Sequence, residues 1–103
     1  MGYHSGMEIR EMKSLLAVAE SGSILLASQR CHLSPAAVHK HLKTVEQEIG
    51  APLYEKHEGR LVMTHAGQML LPFVREILRH CEAAAAMVEE WRVARRGVVR
   101  VGA

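Results

Sequence analysis

The side chains best placed to do chemistry are cationic. Arg30, His32, His39, Lys40, His41 and Lys43 fall between Ser21 and Val45, a window that holds no Asp or Glu. A surface that approaches a polyanion has to be free of carboxylates, because phosphates repel them. If the stretch around Lys40 is a helix, a turn of about 100° per residue sets Ala36, Lys40, Lys43 and Gln47 on one stripe. That stripe lies opposite Val38 and Leu42, with His39 on its flank and His41 nearer the apolar side. A lysine there offers a point charge to a phosphate or a guanine edge, though not a bidentate fork.

Other chemistries find less support. The chain has seven His and two Cys. His39 and His41 are two apart on a helix and diverge. His32, His57, His65 and His80 show no ligand spacing, so no metal site is expected. Cys31 and Cys81 have no CxxC partner, which fits a reduced cytoplasmic chain better than a disulfide scaffold. No Ser/His/Asp, Cys/His or paired-carboxylate arrangement falls on plausible elements, so no catalytic residue is assigned and no enzyme is expected.

The elements that must position the cations can be read from periodicity and caps. The chain has 103 residues, 49% apolar and 23% charged, with a formal net charge of +2. That is one domain with enough apolar residues for a core, and only weakly basic. No apolar run approaches the roughly 20 residues of a membrane span. Residues 1–7 read as an N-terminal extension or tag remnant, without the features of a signal peptide. From Ile9 the spacing of Met12, Leu16 and Ala19 predicts a first helix, stopped by Ser21-Gly22-Ser23. Ser23 caps a second helix over Ile24 to Arg30. Ser34-Pro35 opens a third, with Val38, Leu42, Val45 and Ile49 as its buried stripe and Gly50 as its end. Leu53–Glu55 and Arg60–Met63 read as short strands around a polar turn. Thr64 caps a long helix from His65 to about Val93. Gly97 closes it, and residues 98–101 alternate like the start of a strand. A lone terminal strand has nothing to pair with, so the chain is expected to be the front part of a longer protein.

Two short helices joined by a tight turn and followed by a hairpin make a winged helix-turn-helix pattern. The fold class is therefore mostly α: three helices plus a two-stranded wing over residues 8–64, a linker and dimerisation helix over 65–93, and a hinge over 94–103. The long helix carries a second signal. Leu70, Val74, Ile77, Cys81, Ala84, Val88 and Trp91 follow alternating steps of four and three, a heptad seam. It is assigned to pairing with a second copy, while Ala66, Met69 and Phe73 are expected to pack back on their own domain.

The run from Ile9 to Pro72 also resembles the DNA-binding domain of LysR-type transcriptional regulators. The matching pieces are Ala17 to Ser23, Leu33-Ser34, Ala37-Val38, Leu42, Glu46, Glu48-Ile49-Gly50, Pro52 to Glu55, Met63-Thr64, Ala66-Gly67 and Leu70 to Pro72. The resemblance implies contacts to DNA from the start of the third helix, Ser34, Pro35 and Ala36, and from His39, Lys40 and Lys43. Arg60 resembles the family's minor-groove arginine. It also implies a homodimer on a pseudo-palindromic double-stranded operator, and a small-molecule effector bound by a missing C-terminal domain, with no cofactor in this fragment. The chain departs from the family at Ser34-Pro35-Ala36-Ala37, where a Gln is frequent, and at Leu25-Leu26, where Thr-Arg is common. The other readings are a winged helix of the molybdate-responsive type and a helical module that dimerises and binds protein.

Overall fold

A computed structural model describes the backbone of residues 6–102 and the side chains of residues 6–96. The element order is α1 (Ile9–Ser21), α2 (Ile24–Cys31), α3 (Pro35–Ile49), β1 (Tyr54–His57), β2 (Arg60–Met63) and α4 (His65–Gly102).

Each helix boundary has a local cause. At the start of α1 the Glu8 N–H donates to the Glu11 carboxylate at 3.0 Å, satisfying an amide the helix cannot. Gly22 ends α1 in the left-handed region, φ 73°, and donates its N–H to Val18 O at 2.8 Å. The Ser23 hydroxyl accepts from Leu26 N at 3.1 Å, and the Ser34 hydroxyl from Ala37 N at 3.1 Å; these are side-chain N-caps. Between them, Leu33 N donates to Ser28 O at 2.9 Å and closes the turn. The hairpin pairs Tyr54 with Met63 and His57 with Arg60. Only Glu58-Gly59 is left as the turn, and both residues have positive φ, as a tight hairpin of matching twist requires. Thr64 accepts from Gly67 N at 3.2 Å and starts α4.

The core is layered around α1. Leu15 and Val18 meet Ala27 of α2, Val38, Leu42 and Val45 of α3, Leu53 of the following loop, and Leu71, Val74 and Leu78 of α4. Among the described residues, α4 is held to this body through its first turns. From Glu82 to Arg96 every residue is exposed, and the molecule is 62 Å along its longest axis.

Several expectations change here. Ile49 is not buried with Val38, Leu42 and Val45 but 41% exposed, because it lies in the last turn, past the reach of α1. Met7 packs against the core, so the domain begins before residue 8; the rest of the expected extension, residues 1–5, lies outside the described residues. α4 does not end near Val93, and no strand forms over 98–101: the helix runs through Gly97 to Gly102. A helical glycine costs only about 1 kcal/mol, too little to stop a helix by itself.

The assignment of faces on α4 also changes. Val74 is fully buried in its own domain and Leu70 is partly buried against it, whereas Met69 and Phe73 are 61% and 68% exposed. Leu71, Val74 and Leu78 supply the packing expected of Met69 and Phe73. Close approach at the start of α4 depends on Gly67, where an added Cβ would stand 2.2 Å from Leu53 O. That carbonyl is fixed by accepting from Thr64 N at 3.0 Å. Gly67→Ala should therefore destabilise the domain by about 1–3 kcal/mol, read as a lower midpoint in thermal unfolding; an unchanged midpoint would mean that α4 can move away freely.

Candidate nucleic-acid interface

Burial of Val38, Leu42 and Val45 fixes how α3 is rolled on the domain. The opposite face is thereby turned outward: Ser34, Pro35, Ala36, His39, Lys40, Lys43 and Gln47 are all exposed. Sequence spacing and structure agree on this stripe. His41 is different. Its Nδ1 lies 2.8 Å from the hydroxyl of Ser14, a residue with no exposure. This ring ties α3 to α1, and a serine inside the apolar run of α1 is the sequence signal for it.

The two lysines are not equivalent. Lys43 Nζ is 3.4 Å from a Glu46 carboxylate oxygen and 5.9 Å from the centre of the Tyr54 ring. The other Glu46 oxygen accepts from Leu53 N at 2.9 Å. Glu46 thus fastens the loop after α3, and Lys43 neutralises it. Lys40 makes no ion pair among the described residues. It is the unshared cation of the outward face.

The wing is docked against the α1–α2 turn. Leu61 N donates to Gly22 O at 2.9 Å. The Arg60 guanidinium lies across the bare Gly22 Cα, where an added Cβ would stand 2.7 Å from Nη2. Gly22 therefore meets two demands, a left-handed cap and room for Arg60. This contact between wing and turn was not evident from the spacing of the sequence, because it joins residues 38 positions apart.

Among the described residues, no group of three or more His, Cys or Glu is arranged to hold a metal ion, and no helix is long and apolar enough to cross a membrane.

A short helix capped by Ser23, a tight turn, a second helix presenting an acid-free outer face, and a docked hairpin define a winged helix-turn-helix DNA-binding module. The family can be named as well. Residues 9–68 match the family described as bacterial regulatory helix-turn-helix protein, lysR family. The regulator MetR of Haemophilus influenzae is 36% identical over 72 residues, which cover 70% of this chain and 23% of MetR. CbbR of Xanthobacter flavus is 37% identical over 94 residues, 91% of this chain and 28% of CbbR. The solved CbnR DNA-binding domain in complex with DNA superposes with a TM-score of 0.70 at 32% identity, covering 85% of this chain and 98% of that one. The chain belongs to the LysR family and is the DNA-binding domain of a LysR-type regulator, which favours this reading over the molybdate-responsive and protein-binding alternatives. It spans about a quarter of the length of the curated relatives MetR and CbbR.

Tyr54 reports on the α3–wing junction. Burial pushes its phenol above the ordinary 10.0; the Lys43 ammonium pulls it down and the Glu46 carboxylate pushes it up. The folded protein thus favours the neutral phenol, so this group's contribution to stability is complete below pH 10 and fades as pH rises through the folded-state value. In a Tyr3→Phe background, alkaline titration by absorbance should place Tyr54 above a free tyrosine. Lys43→Ala should move it higher and Glu46→Gln lower; a Tyr54 that ignored both changes would contradict the packing of Lys43 on its ring.

Proposed function

We propose that α3 enters the major groove of double-stranded DNA with Ser34, Pro35, Ala36, His39, Lys40 and Lys43 at the interface, while Arg60 on the wing reaches the adjacent minor groove. The observation that carries this is the outward stripe of α3, free of carboxylates and rigidly backed by Val38, Leu42 and Val45. The α1–α2 turn supports the wing, so Arg60 is held at a fixed offset from that stripe. Leu25 and Leu26, both exposed at the start of α2, stand where the resembled family has a polar and a cationic residue. The affinity of this chain therefore leans more on α3 and Arg60.

Two copies pair through α4. The stripe that supports this reading is Met69, Phe73, Ile77, Ala84, Val88 and Trp91, all exposed. It keeps Ile77, Ala84, Val88 and Trp91 of the heptad seam, replaces Leu70 and Val74, which face or border the chain's own core, and omits the half-buried Cys81. Monomers rarely expose an apolar stripe of this length. Pairing would present two recognition helices to the two halves of a pseudo-palindromic operator. The remainder of a protein of this type would carry an effector domain for a small molecule, joined beyond the end of α4; residues 94–102, expected as a hinge, belong to that helix. A regulator of this design acts in the bacterial cytoplasm and is not an enzyme.

Lys40→Ala should weaken operator binding by about 1–3 kcal/mol and relax preference at one base pair. Arg60→Ala should lower affinity more evenly across sequences, and Lys43→Ala should do less than Lys40→Ala because its charge is shared with Glu46. Titration of labelled operator and of single-base variants tests all three. Undiminished affinity in a folded Lys40→Ala protein would remove Lys40 from the interface.

Sedimentation separates the two faces of α4. Phe73→Glu or Ala84→Glu should yield a folded monomer with sharply lower operator affinity, since each domain then binds a half-site without the benefit of tethering. Val74→Glu should unfold the domain, because it buries a carboxylate without a partner. A Phe73→Glu variant that stays dimeric would place the seam elsewhere.

A further inference from the structure

A cleft of about 840 Å³ lies between α1 and α4, closed at one end by the α2–α3 turn. Neither the recognition face nor the dimer stripe uses it. No residue of α3 lines it. At about 100° per residue, Arg75, Leu78 and Glu82 of its α4 wall lie roughly opposite Phe73 and Ala84.

The cleft has an apolar floor and a cationic rim. Leu16, Leu33 and Leu78 line the floor, and Leu33 is 37% exposed. Arg10, Lys13, Arg75 and Arg79 stand on the rim. Arg10 is paired with Glu8 and Arg79 with Glu76, which leaves Lys13 and Arg75 without an ion pair among the described residues. Of the two acids on the rim, Glu20 is already engaged by Arg30 at 3.2 Å, which leaves Glu82.

We propose that this cleft docks an acidic amphipathic helix of a partner protein. An apolar groove between two helices receives anchors spaced three and four apart on such a helix, and its acidic flanks would meet Lys13 and Arg75 across the rim. DNA satisfies only half of this. A phosphate backbone could meet the cations, but it brings nothing to cover Leu16, Leu33 and Leu78, and it would approach Glu82. The far end of another copy's α4 is a poorer match, since Arg92, Arg95 and Arg96 there outnumber Glu89 and Glu90. The partner is therefore a different protein, reached through a surface that neither the α3 stripe nor the dimer stripe occupies.

The test uses two labelled peptides of about five helical turns, each with Leu at every third or fourth position, one filled with Glu and the other with Lys. Binding is read by fluorescence anisotropy, and the site by methyl NMR shifts of Leu16, Leu33 and Leu78. The Glu peptide should bind and shift these methyls, and the Lys peptide should not. The double variant Lys13→Glu, Arg75→Glu should weaken the Glu peptide by about tenfold or more and leave operator affinity unchanged. Leu33→Ser should weaken the peptide as well, again without effect on DNA. Equal binding of both peptides, unmoved cleft methyls, or a double variant that loses DNA in step with the peptide would each overturn the proposal; the last would assign the rim to phosphates.

Discussion

Everything functional here depends on the burial of one three-residue stripe. Val38, Leu42 and Val45 of α3 have no exposure, and they can be buried only against α1 and its neighbours. Their burial sets the roll of α3, and the roll decides that Lys40 faces outward. Burying three such side chains contributes about 5–9 kcal/mol before entropy is counted, comparable to the whole net stability of a small domain. Rolling α3 by one position would surrender most of it. The helix is thus held far more firmly than any contact on its outer face could hold it. A reader of DNA needs this order of strengths, because a helix that rotated to suit its ligand would not discriminate sequences.

Around that stripe, the smaller contacts each remove one freedom. The Ser14–His41 hydrogen bond joins α1 to α3 on the inner side. Glu46 fixes the loop leaving α3 through Leu53 N while neutralised by Lys43. The wing is held by Leu61 N on Gly22 O, with Arg60 folded over the same glycine. The exposed ion pair is worth little by itself. The first two contacts fix α3 against α1 and the loop that follows it, and the third relates the wing to that body through the α1–α2 turn. A change at Gly22 would therefore disturb α1, α2 and Arg60 together.

Much of this was legible in the sequence, where the governing physics is local. Caps are local, so Ser23, Ser34-Pro35, Gly50 and Thr64 mark real boundaries. Charge exclusion is also local, and the acid-free window located the outer face of α3. What was not legible depends on distant partners. The faces of α4 could not be separated by periodicity, because steps of three and four generate both the row through Leu70 and Val74 and the row through Met69 and Phe73. Which row is buried is decided by Leu15, Val18 and Leu53, far away in the chain. Likewise Ile49 continues the α3 repeat, but α1 no longer lies opposite it. The end of α4 was misplaced because Gly97 is a weak stop and the valines after it suit either a strand or a helix. The wing contact at Gly22 and the cleft between α1 and α4 exist only once the chain has folded.

The most direct measurement of the central claim is position-specific cross-linking to DNA. In a background with Cys31 and Cys81 changed to Ser, single cysteines at positions 40, 41 and 49 would be offered an operator carrying a thiol tethered to a base in the major groove. The account predicts a disulfide from Lys40→Cys and none from His41→Cys, which faces Ser14, or from Ile49→Cys, at the end of the helix where the acids resume. Cross-linking from position 41 in preference to 40 would mean that the buried stripe does not set the face that meets DNA.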